Sequence, residues 1–176
     1  LEIAQGLSPA ARLTETRHHP EDLEDLDAPL SLDLSVEVPG WTAPGASGTL
    51  AFVPPAFRHP LRHPRLWENL LVTGIDKRAR GLSFSCPKEI VLRGVLELPG
   101  RYRLRSPKTG GAVTTPLGSA SWSVRIEDGD RLITEQRAVF RTRRVPAASL
   151  ADYHRLVAPL QALETTLVVL EPEEER

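Results

Sequence analysis

Methionine is absent from the 176 residues, and cysteine occurs once, at Cys86. A lone cysteine excludes an internal disulfide. The missing methionine leaves the chain without a start of its own, so it reads as a mature fragment or a piece of something longer. Long hydrophobic runs are also missing: none approaches the roughly 18 residues of a membrane-spanning helix, and no signal peptide is visible. Charge of one sign is not in excess. The net charge is −1, which gives no overall electrostatic case for nucleic acid or for insertion at an anionic membrane. Lysine is scarce, with only Lys77, Lys88 and Lys108 among 22 basic residues. The arginine bias reads first as the mark of a GC-rich genome and second as a demand for bidentate contacts. Aromatics are 5% of the chain, too few for a stacking surface of the single-strand-binding kind.

What is present points to β structure. The 40% hydrophobic and 26% charged residues suit one globular domain with a sizeable core. Proline is frequent, at 16, and punctuates short extended segments. In "LSLDLSVEVPG" Leu30, Leu32, Leu34, Val36 and Val38 alternate with Ser31, Asp33, Ser35 and Glu37, the period of a half-buried strand. "TLAFVPP" reads as a short strand stopped by two prolines, and "WENLLVTGID" as another strand. "KEIVLRGVLELPGRYRLRSP" places Ile90, Leu92, Leu96 and Leu98 on one face and Arg93 and Glu97 on the other, then alternates again with Tyr102 and Leu104 inward. "SASWSVRIEDGDRLITEQRAVFRTRR" carries a hairpin with Asp128-Gly129 at its turn. Near the end, Leu150, Tyr153, Val157 and Leu160 have helical spacing. Ser149 is a candidate N-cap with Asp152 as a short capping-box acid, and Pro159 is expected to kink or split the helix. The sum is a mainly β chain: an antiparallel β-sandwich of about eight to ten strands with one C-terminal helix. A single sandwich domain is expected over residues 1-171, with the helix at about 149-164 and a solvated tail at 172-176.

The histidines are candidate ligands for a metal site. His59 and His63 are four apart, but Pro60 and Pro64 follow them, which disfavours a helix. On an extended chain the two rings lie roughly 13 Å apart, so one ion would also need His18 or His19, and a surface loop is the expectation. Cys86 in "SFSCPKE" precedes a proline between strand-like segments, a setting for a structural thiol rather than an activated nucleophile. Glu21, Asp22, Glu24, Asp25 and Asp27 lack the glycine and the alternation of a calcium loop and read as a solvated acidic loop. No catalytic residue, metal ligand or cofactor is therefore assigned.

Two rows of arginine form the candidate interaction surface. Arg101, Arg103 and Arg105 share one strand face; Arg137, Arg141 and Arg143 share another, with Arg144 adjacent. Were those strands neighbours, the sheet would carry a basic stripe suited to an acidic partner. The plainer expectation is a solvated face paired to Glu127, Glu135 and similar acids. Trp41 and Trp67, in or near loops, are candidate stacking residues for a sugar ring.

In order along the chain, "EDLDAPLSLDLSVEVPG", "RHPLRHP", "LELPGRYRLRSP", "IEDGDRLI", "RAVFRTRRVPAASLADYHRLV" and "TTLVVLE" resemble the region after the catalytic core of bacterial transglutaminase-like proteins that carry an N-terminal domain of unknown function. The resemblance spans residues 12 to 171. It implies a non-catalytic β-sandwich beside a papain-like cysteine-histidine-aspartate enzyme, whose partner is the neighbouring catalytic domain or a protein. It also implies a location in the bacterial envelope or periplasm. The core's catalytic residues have no counterparts here, since Cys86 and the histidines do not match its motifs. The alternative is an independent glycan- or protein-binding module of the envelope, which sandwiches often supply.

Overall fold

A computed structural model of the chain describes residues 10–19, 31–40, 47–57, 80–84, 88–105 and 109–173. Its contacts fall into two compact units, Leu1–Trp41 and Thr42–Arg176. In the first, strand β1 (Arg12–His19) pairs antiparallel with β2 (Ser31–Glu37). The register slips between Leu13 and Glu15, where Thr14 donates its hydroxyl hydrogen to the Ser35 carbonyl at 3.0 Å. Leu34, Val36 and Val38 are half-buried while Ser31, Asp33, Ser35 and Glu37 are exposed, as the alternation predicts.

The second unit is built on a four-stranded antiparallel sheet in the order β5-β9-β8-β7. Its strands are β5 (Lys88–Glu97), β7 (Gly110–Thr115), β8 (Gly118–Glu127) and β9 (Arg131–Phe140). The β8–β9 hairpin turns at Asp128 and Gly129, which both take positive φ, 56° and 83°. Asp-Gly is the pair that tolerates this conformation best. A three-stranded sheet has the order β3-β11-β6, with β3 (Leu50–Phe52), β6 (Tyr102–Leu104) and β11 (Val168–Pro172). β4 (Leu82–Ser83) and β10 (Arg144–Val145) form a short ladder. The sheets remain open, every pairing is antiparallel, and among the described residues there is one α-helix, α1 (Leu150–Leu163). The fold class is therefore the mainly β, antiparallel one that the sequence pattern indicates.

Residues of even number on β5, β8 and β9 face the core. Ile90, Ala120, Val124, Leu132, Ala138 and Phe140 are buried there. Helix α1 covers the β7–β8 side, and the 3-10 turn Pro55–Phe57 covers the β5–β9 side. The helix buries Leu150, Tyr153, Leu156, Val157, Leu160 and Leu163. Full burial of an apolar side chain of this size stabilises by about 1.5–3 kcal/mol, so this one face holds the helix on the sheet. Tyr153 is fully buried and its ring lies 5.9 Å from that of Phe84 and 6.2 Å from that of Phe140. These are favourable aromatic separations.

Two local expectations are corrected. Pro159 does not split the helix, which runs unbroken to Leu163. Leu156 and Val157 before it and Leu160 and Leu163 after it are all buried, so packing on both sides holds the turn that proline weakens. Ser149 occupies the N-cap position without a side-chain cap hydrogen bond. Its backbone N–H is engaged in the preceding 3-10 turn with Pro146, and Asp152 accepts from Arg155 at 2.8 Å instead of closing a capping box. The expected strand "WENLLVTGID" lies outside the described residues.

Candidate interaction surface

The first arginine row stands on β6 and its flanks. Strand β11 lies beside β6, with Glu171 directly across from Arg103. Backbone hydrogen bonds extend the ladder at both ends, from Arg105 N–H to the Val169 carbonyl and from Glu173 N–H to the Arg101 carbonyl, each 2.9 Å. This register sets two carboxylates among three guanidiniums. Arg105 meets Glu171 at 2.8 Å, Arg103 meets the other Glu171 oxygen at 3.4 Å, and Arg101 meets Glu173 at 3.1 Å. All three arginines are exposed. The guanidiniums are already hydrogen-bonded to acids of the same sheet, so an acidic partner must compete with them.

Arg101 also ties this row to the β8–β9 turn. Its guanidinium lies over Gly129, where a Cβ would come within 2.8 Å of Cζ. Leu98 N–H donates to the Asp130 carbonyl and Tyr102 N–H to the Gly129 carbonyl, each at 2.8 Å. The "LPGRY" and "EDGD" segments thus dock on each other, with Tyr102 buried. At the same turn Asp128 accepts from Arg131 at 2.6 Å. That hydrogen bond, with the charge of Asp128, raises the Arg131 pKa above its ordinary value.

The second row is on a different sheet. Arg137 lies on the outer face of β9 and pairs with Glu89 of β5 at 2.6 Å. Arg141 and Arg143 follow β9, and Arg144 opens β10; all three are exposed and make no ion pair among the described residues. The neighbour of β6 is β11, and those of β9 are β5 and β8, so the two rows do not join through adjacent strands into one stripe. The alternation of arginine was legible; the strand partner was not, because a three-residue strand carries too little pattern to choose its neighbour.

The counter-ions differ from those expected. Glu127 pairs with Arg125 at 2.8 Å and with Arg131 at 3.7 Å, whereas Glu171 and Glu173 take the first row and Glu89 takes Arg137 of the second. Sequence reasoning passed over Glu171 and Glu173, although their two-residue spacing in "VLEPE" puts them on one face of an extended strand. His18 and His19 are consecutive, exposed residues of β1 and so point to opposite faces. Among the described residues no group of histidine, cysteine, aspartate and glutamate is arranged to hold a metal ion. Trp41, Trp67, His59, His63, Cys86 and the acidic cluster from Glu21 to Asp27 lie outside the described residues. Trp122 lies on the inner face of β8, half-buried, with its ring over Gly111.

No protein-family model matches the chain, and no curated protein matches it significantly. A solved structure does. A candidate protease from Parabacteroides distasonis superposes with a TM-score of 0.58 at 8% identity. The match covers 73% of this chain and 24% of that one, so this chain spans about a quarter of its neighbour's length. At that identity the likeness shows a shared fold.

Proposed function

We propose that this chain is a non-catalytic accessory domain of a transglutaminase-like protein, packing on or orienting a cysteine-histidine-aspartate core or that core's protein substrate. One observation carries the reading: the fold recurs as a minor part of a longer candidate protease. The order of the "LELPGRYRLRSP", "IEDGDRLI" and "TTLVVLE" segments, which resembles that in transglutaminase-like proteins, supports this choice of enzyme class. A region that accompanies an active site needs surfaces and a stable scaffold rather than a reactive constellation of its own.

The test separates chemistry from support. The isolated chain is expected neither to hydrolyse glutamine amides nor to join them to amines. Removing it from the parent protein is expected to reduce turnover of protein substrates more than turnover of small amides. Crosslinking by the isolated chain would overturn the proposal.

A further inference from the structure

Among the described residues, strand β5 forms one edge of the four-stranded sheet. It is ten residues long and pairs with β9 throughout without a register shift. Long, regular edges are normally blunted by bulges, prolines or charged side chains; β5 has neither a bulge nor a proline, and its charges, Lys88, Glu89, Arg93 and Glu97, are of both signs. Its outer face is Glu89, Val91, Arg93, Val95 and Glu97, all exposed. Val91 and Val95 are 53% and 55% exposed. The Leu98 N–H reaches the Asp130 carbonyl and continues the ladder through the even-numbered residues. The backbone groups of the five odd-numbered residues therefore point away from β9, to a side where no strand pairs with β5 among the described residues.

The charges on this edge choose the occupant. Glu89 is held by Arg137 at 2.6 Å. Arg93 and Glu97 make no ion pair among the described residues, although Glu135 and Arg131 stand across from them. Four residues apart on one strand, they lie roughly 13 Å from each other and cannot meet. A second, antiparallel copy changes that. With Val95 on a two-fold axis, Arg93 of each copy faces Glu97 of the other, and the two Val95 side chains face each other. Centring on Arg93 would set arginine against arginine and Glu89 against Glu97. We propose that β5 pairs with β5 of a second copy of this chain about Val95, extending the sheet across an isologous two-fold interface. This is independent of the accessory-domain reading.

Sedimentation equilibrium of the full chain, from micromolar to millimolar concentration, tests it. A reversible dimer is expected. R93E and E97R alone each place like charges across the axis twice, and each should weaken dimerisation about tenfold. The double variant R93E/E97R restores opposite charges and should recover the native constant. A monomer at every concentration would overturn the proposal. So would a dimer unmoved by the single variants, or one that the double variant fails to restore.

Discussion

Gly118 opens β8 with its backbone so close to β9 that a Cβ would sit 1.8 Å from the Val139 carbonyl oxygen. Backbone cannot retreat there, because Gly118 is also paired with Phe140 and Thr115. Gly118→Ala is therefore expected to destabilise the chain by about 3 kcal/mol or more in urea unfolding, at the upper end of overpacking costs. A loss under about 1 kcal/mol would show that the strands can part. Gln136 is a different case. It is buried between β5 and β8 and donates from Nε2 to the Ala56 carbonyl, while its Oε1 has no hydrogen-bond partner among the described residues. Gln136→Leu removes one orphaned acceptor and creates another at Ala56, so stability should change by no more than about 1 kcal/mol. A loss above about 3 kcal/mol would show that Oε1 is satisfied, for instance by a buried water. Neither residue announces its role in the sequence. A glycine near a strand start reads as a turn, and a glutamine in "ITEQRAVF" reads as a solvent-facing residue unless its parity is followed from Leu132 to Phe140.

Elements with strong periodicity were legible. The alternation over Ile90–Leu98, the Asp128-Gly129 turn and the spacing of Leu150, Tyr153, Val157 and Leu160 each became the element they describe. Strand β7 was not legible, because "GGAVTT" has two glycines and an alanine and little apolar contrast. It pairs with β8 through its backbone, and Trp122 fills the space over Gly111. The unbroken helix yields a prediction. In α1, Pro159 withholds a donor from the Arg155 carbonyl within a helix held by burial on both sides. Pro159→Ala is expected to stabilise by about 1–3 kcal/mol, read as a raised thermal midpoint; a lowered midpoint would mean that the helix needs its proline. The β6–β11 ladder yields another. Its exposed ion pairs contribute little to stability, so E171Q/E173Q should cost under about 1 kcal/mol. The same change leaves Arg101, Arg103 and Arg105 without their acids and should delay elution from a heparin column. Unchanged retention would mean that the row does not set the surface charge.

At the scale of the molecule, the described residues give two units: the antiparallel β1–β2 pair, and a sheet-and-helix body whose core is Tyr153, Phe84 and Phe140 with the inner faces of β8 and β9. The mainly β class was readable because alternation is a local property of the chain. The arginine rows were readable as rows but not as a surface, since their placement on two sheets depends on pairings between residues such as Arg103 and Glu171, 68 positions apart. On the accessory-domain reading, function is set at a still larger scale, by what this body would sit beside. The most direct measurement is the sequence of the parent reading frame upstream of Leu1. The accessory-domain reading predicts that it encodes a transglutaminase-like core with its cysteine, histidine and aspartate. A frame that encodes only a signal peptide and a linker before Leu1 would contradict it.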